Sequence, residues 1–170
     1  QLKVPNNIFK RIVKTVYLNF IFRNKYVLGF AGGSLTHKQL FRFYGMQEER
    51  IFLMPMMVDN SKYLNALKRK PSKFTFLFVG RLIDSKNVNV LCERFLSSFT
   101  NKNADLIIVG SGLNLEKYKK KYTHPQIKFT GSLFGDELLS YYMNSSAFVF
   151  PSTEEAWGLV INEAMSSGLP

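Results

Sequence analysis

The sequence predicts a parallel α/β protein whose second half is a doubly wound sheet. Two observations carry this reading. From Phe74 onward the strand-like runs, Phe-Thr-Phe-Leu-Phe-Val at 74–79 and Leu-Ile-Ile-Val at 106–109, are almost uninterruptedly apolar, as strands covered on both faces must be. They also alternate with helical segments in a strict order: strand 74–79, helix 86–99, strand 105–109, helix 113–122, strand 126–130, helix 135–143, strand 147–150 and helix 158–167. Such alternation implies parallel strands joined by helical crossovers, and ligands of such sheets bind beyond the carboxyl ends of the strands.

The first part reads less regularly. Ile8, Ile12, Val16 and Phe20, beside Phe9, Val13, Tyr17 and Ile21, recur at a spacing of four and predict an amphipathic helix over 8–21. A buried strand is expected over 26–31, a break at Gly32-Gly33, and a helix over 34–44 capped by Ser34 and closed by Gly45. A short strand follows at 51–54. Residues 60–73 carry the Lys68-Arg69-Lys70-Pro71 run without a strand pattern, so the linker is placed there. The expected division is 1–72, the end of a first domain plus linker, and 73–170, a second domain. Gln1 at the start, and Gly168-Leu169-Pro170 where a strand is due, suggest an internal piece of a longer protein whose second domain is truncated.

With 46% hydrophobic and 21% charged residues, the composition excludes a disordered or fibrous chain. Cys92 is the single cysteine, which excludes an internal disulfide, fits a reducing cytoplasm, and reads as a buried structural thiol. The apolar runs fall well short of the ~18 residues of a spanning helix. The formal net charge of +11 belongs wholly to residues 1–73, with 14 Lys and Arg against Glu48, Glu49 and Asp59; residues 74–170 balance 9 against 9. The two parts therefore meet different surroundings.

The strands of the second half end in Gly80-Arg81, Gly110-Ser111-Gly112, Gly131-Ser132 and Pro151-Ser152-Thr153-Glu154-Glu155. Glycines there either let a ligand approach the amides or simply serve the tight turns. Arg81 directly after the first strand and Lys86 at the expected start of the next helix suit phosphate oxygens, unless they are a solvated surface pair. The last segment favours the ligand. Glu155 lies in the loop before the final helix and Glu163 inside it, with seven residues between. Carboxylates near such a rim need hydroxyl donors, which a sugar or a ribose diol supplies. Glu154, out of register with Glu163, reads as solvated.

These residues resemble the nucleotide-binding domain of glycosyltransferase family 4, the group 1 glycosyl transferases, which are retaining enzymes of the GT-B fold. The resemblance rests on Phe78-Val-Gly-Arg81 with Lys86, Leu106-Ile-Ile-Val-Gly-Ser-Gly112, Phe129-Thr-Gly131, Phe150-Pro-Ser152, and the Glu155 to Glu163 pair with Glu163-Ala-Met and Gly168-Leu-Pro170. Tyr44-Gly45, Arg50-Ile51 and Val58-Asp59-Asn60 extend it more weakly upstream. It implies two Rossmann-like domains, the first present only as its tail, and no metal or other cofactor. Gly80, Arg81 and Lys86 would receive the diphosphate, the two cations neutralising charge as it leaves. Glu163 would accept from the ribose, Glu155 would lie at the donor sugar, and the amides around Trp157, Gly158 and Leu159 would reach sugar hydroxyls and phosphate. Leu133, in the loop Gly131 to Phe134, would support the base.

Two departures stand out: Met54-Pro55-Met56-Met57 where the family more often has Asn-Gly, and Trp157 in place of Phe. The family's histidine would precede this stretch; His37 is a candidate for touching the acceptor, and His124 beside Pro125 reads as exposed. The resemblance implies transfer of a sugar from a nucleotide-diphosphate donor to a glycan or lipid-linked acceptor, as in bacterial surface polysaccharide or lipid-linked glycan synthesis. The chain alone is expected to bind donor without catalysing transfer. The cluster Lys10, Arg11, Lys14, Arg23 and Lys25 suggests that residues 1–73 rest on an anionic membrane, as in a cytoplasmic protein peripheral to the inner face of the cell membrane, or else form a solvated basic face. A nucleotide-sugar epimerase would lack this glutamate spacing. A nucleic-acid-binding module would show exposed aromatics along a basic groove, whereas the aromatics here mostly fall on faces that want burial; no nucleic acid is expected.

Overall fold

A computed structural model describes residues 7–32, 35–54, 57–64, 71–100, 103–155 and 157–170. The chain forms two compact units, dividing between Met57 and Val58. In the first unit, helix α1 (Ile8–Arg23) is capped by Asn7, whose side chain accepts from the amide of Phe9 at 3.0 Å. Strand β1 (Gly29–Ala31) pairs in parallel with β2 (Ile51–Leu53), and α2 (Leu35–Phe43) connects them. The expected strand from residue 26 is shorter because Asn24 turns the chain: its carbonyl accepts from Val27 at 3.1 Å and its side chain from Tyr26 at 3.0 Å. The Ser34 cap and the Gly33 break lie outside the described residues. Ala31, Met46 and Ile51 make a small core with Phe22, Val27 and Phe41. The Arg50 guanidinium fastens the end of α1 by donating to the carbonyls of Phe22 at 2.6 Å and of Asn24. The apolar stripe of α1 is real but uncovered, with Ile8, Val16 and Phe20 all exposed.

The second unit contains α3 (Ser61–Leu64), β3 (Phe74–Val79), α4 (Val88–Phe99), β4 (Ala104–Val109), α5 (Leu115–Lys121), β5 (Ile127–Gly131), α6 (Gly135–Met143), β6 (Ala147–Phe148) and α7 (Leu159–Ser166). The sheet order is β5-β4-β3-β6, every pairing parallel. The alternation along β3 decides the layers. Phe76 and Phe78 face α4 and α5 in a core with Val88, Cys92, Phe95, Leu106, Ile108 and Tyr118. Leu77 and Val79 face the other way, toward Tyr142 of α6 and Ala164 of α7. Right-handed crossovers demand this result, because the connections run outward from β3 to β5 and then reverse to reach β6.

Asn60 and Tyr63, assigned by sequence to the 1–72 stretch, pack with the second unit: Ser166 donates to the Asn60 side chain at 2.8 Å, and the rings of Tyr63 and Tyr142 meet edge-on at 6.0 Å. β6 is shorter than the expected 147–150, although the Val149 amide still reaches the Leu77 carbonyl at 2.8 Å. On its other side Phe148 donates to the carbonyl of Pro170 at 2.8 Å. Cys92 is buried, and burial first of all pushes its thiol up to about 12, which makes it inert packing at neutral pH.

Candidate active site

Lys86 does not open α4. Asp84–Lys86 form a single 3-10 turn, Asn87 then takes the left-handed conformation at φ 51°, and α4 starts only at Val88. This kink turns the Lys86 side chain inward, where 8% of it remains exposed, so the solvated-surface alternative fails for this residue. Its ammonium donates to the Ser152 hydroxyl and the Glu154 carbonyl, each at 3.2 Å, and to the Glu155 carboxylate. The ring of Phe150 lies 5.2 Å away on a further side, a favourable place for a cation. Asn87 clamps the same two segments by donating to the Pro151 carbonyl at 3.1 Å, and the Thr153 amide donates to Ser85 at 3.0 Å.

Glu155 keeps 32% of its side chain exposed. Burial raises its pKa, but the Lys86 ammonium and the amides of Trp157 and Gly158 outweigh that and hold the carboxyl below its ordinary value. Gly80, Arg81, Lys86, Phe150, Glu155, Trp157, Gly158, Leu159 and Val160 line one cleft of about 260 Å³. It sits past the carboxyl ends of β3 and β6, where the strand order reverses, and that reversal is where open α/β sheets leave a crevice. Arg81 is exposed at its mouth. Gly158, left-handed at φ 65°, starts α7 beside it.

Glu163 lies one turn into α7 and is half-buried. Its carboxylate accepts from the Tyr142 hydroxyl at 2.8 Å, and the Tyr63 ring stands against that of Tyr142. Burial, then the Glu163 charge, raises both phenols, Tyr63 to about 12. Neither Glu163 nor Leu133 is among the residues lining the cleft. Leu133 is half-buried and packs against the core that contains Tyr142, and the exposed apolar residue of its loop is Phe134.

The profile of the family described as Glycosyl transferases group 1 matches residues 73–170, more than half of the chain. The chain belongs to this family. The sulfoquinovosyl transferase SQD2 of Arabidopsis thaliana is 39% identical over 103 residues, covering 59% of this chain and 19% of that protein. A UDP-Gal:alpha-D-GlcNAc-diphosphoundecaprenol alpha-1,3-galactosyltransferase of Escherichia coli is 30% identical over 137 residues, covering 71% of this chain and 35% of its own. The crystal structure of Anabaena Alr3699/HepE in complex with UDP-glucose superposes with a TM-score of 0.65 at 20% identity, over 92% of this chain and 48% of that one. This likeness shows the GT-B fold. The chain thus spans less than half the length of each of these relatives.

In this member of the family the structure gathers seven of the site residues expected from sequence: Gly80, Arg81, Lys86, Glu155, Trp157, Gly158 and Leu159. Glu154 is exposed, as expected, yet its backbone carbonyl is one of the acceptors for Lys86. His124 serves its own turn, accepting from the Gln126 amide at 3.3 Å, and His37 lies 2.6 Å from the Gly32 carbonyl within the first unit. The sequence shows Ser152 only as part of the strand-end run and motif, without a role of its own, and does not single out Asn87 or Tyr142. Their roles depend on partners 21 to 66 residues away, and no local spacing signals such contacts.

Proposed function

We propose that the protein transfers a sugar from a nucleotide-diphosphate donor to an acceptor hydroxyl with retention of configuration, and that this chain supplies the donor side. The observation behind this reading is the buried Lys86 paired with Glu155 next to Arg81, at the reversal of the strand order. As the bond from the sugar to the diphosphate breaks, negative charge grows on the departing oxygens, and Arg81 and Lys86 supply fixed positive charge there. Glu155 orients the sugar, and Glu163 takes the ribose hydroxyls at the side of the cleft. The relatives use UDP- and GDP-linked sugars by name, so donors of both bases belong in the test. In calorimetry on the full-length protein, Arg81→Ala and Glu163→Ala should each weaken nucleotide-sugar binding by about 10- to 100-fold. Unchanged affinity and turnover in both variants would overturn the assignment. Acceptor chemistry needs a first domain more complete than the unit seen here, so the chain alone binds donor without turnover.

The same reading extends to place. No helix among the described residues is long and apolar enough to cross a membrane. On α1, however, exposed Ile12, Val16 and Phe20 lie beside exposed Lys10, Arg11 and Lys14, a pairing suited to the inner face of an anionic membrane where lipid-linked glycans are built. Each basic residue near such a surface contributes about 1 kcal/mol. The protein should sediment with phosphatidylglycerol vesicles at low salt and be released as salt rises. Failure to sediment at any salt concentration removes the membrane from the proposal.

A further inference from the structure

We propose that Tyr142 is a positioning residue for the donor: its phenol holds the Glu163 carboxylate so that the remaining lone pairs face a ribose diol. The inference rests on the reading of Glu163 given above. A carboxylate has about four acceptor sites; the Tyr142 hydroxyl occupies one and leaves enough for both hydroxyls of a diol. Glu163 stands on an exposed-edged helix, and a free glutamate there would sample several rotamers, each of which has to be given up on binding. Fixing it beforehand removes that loss.

The geometry is built for fixing. Tyr142 is fully buried, its ring between Phe148 at 6.2 Å and Tyr63 at 6.0 Å, so its hydroxyl has little freedom except to point at Glu163 Oε2, 2.8 Å away. The Val160 carbonyl, at 3.4 Å, is the weaker alternative acceptor. Tyr63 arrives from α3, which the bond from Ser166 to Asn60 ties to α7. Three separate segments, α3, α6 and α7, therefore pack around this hydroxyl–carboxylate pair. If the bonds only glued α7 to the sheet, their loss would lower stability and weaken every ligand alike. A positioning role instead predicts a loss confined to ligands with an intact diol.

The test uses the full-length protein and titrates UDP or GDP, whichever binds more tightly, then its 2′-deoxy counterpart and inorganic pyrophosphate. Tyr142→Phe should weaken the ribonucleotide about tenfold and leave the deoxynucleotide and pyrophosphate within about twofold, so the ribose preference shrinks. Glu163→Gln is the reference. If Glu163→Gln shrinks the preference and Tyr142→Phe does not, the positioning role is overturned and the reading of Glu163 stands. If Glu163→Gln leaves the preference intact, that reading falls and takes this inference with it. Should Tyr142→Phe fail to fold, Tyr63→Ala decides by the same ratio, because it removes the ring that backs Tyr142 while Tyr63, half-buried on a four-residue helix, lies outside the sheet.

Discussion

Lys86→Ala is expected to weaken nucleotide-diphosphate binding about 100-fold and to destabilise the protein by about 1–3 kcal/mol. The affinity figure follows from losing charge-assisted hydrogen bonds to phosphate, about 1.5–3 kcal/mol each. The stability figure is set below the 3–5 kcal/mol of a fully buried pair, because Glu155 keeps 32% of its side chain in solvent and is screened there. In the structure the ammonium is satisfied by Ser152, Glu154 and Glu155 together, so an arriving phosphate has to replace one of them, and partly exposed Glu155 is the easiest to give way. Titration calorimetry and denaturant melts of Lys86→Ala and Lys86→Met, which keeps the stem over Phe150, separate the charge from the packing. Acid adds a signed check. The Glu155 carboxyl is held below 4.5, so its contribution to stability is complete above that value and is lost as the pH falls through the lowered one. The wild-type advantage over Glu155→Gln should therefore be flat from about pH 7 to pH 5 and vanish on further acidification. An advantage that declined already near neutrality would contradict the pairing.

Gly110→Ala should cost about 3–5 kcal/mol, enough to leave little folded protein. An added Cβ would stand 1.9 Å from the carbonyl oxygen of Gly80, and the backbone sits at φ +139°. That oxygen cannot retreat. The Gly80 amide is bonded to Val109 at 3.0 Å, and the Gly110 amide to Gly131 at 2.7 Å, so the three strand ends are locked together. Overpacking and a disallowed backbone each contribute about 1–3 kcal/mol. Gly131→Ala is the control: its φ is +82° but no atom lies within 4 Å of the added carbon, and only the conformational cost of about 1–2 kcal/mol remains. Denaturant midpoints for both would show the difference. Equal midpoints would mean that the close approach of the two strand ends is absent. The geometry adds a third role to the ligand access and tight turn read from the sequence: the close approach of the two strand ends itself requires a glycine here.

The alternation of apolar runs and helical stretches determined the second unit before any coordinates. β3 at Phe74–Val79 and α6 at Gly135–Met143 fall on the expected residues, because burial on both faces, or on one helical face, leaves its period in neighbouring residues. The gathering of Arg81, Lys86 and Glu155 was likewise legible, since each lies in a segment that follows a strand and a parallel sheet turns those segments toward one rim. The tertiary structure decided three other things. It buried Lys86 beneath the 151–155 loop instead of leaving it at a helix start, through the left-handed turn at Asn87. It packed half-buried Leu133 against the core and tied Glu163 to Tyr142. It left the apolar stripe of α1 uncovered. Sequence period reports that a side chain wants burial or a partner, whereas which partner it meets depends on the order β5-β4-β3-β6, and that order brings together residues too far apart in the chain for any spacing to connect.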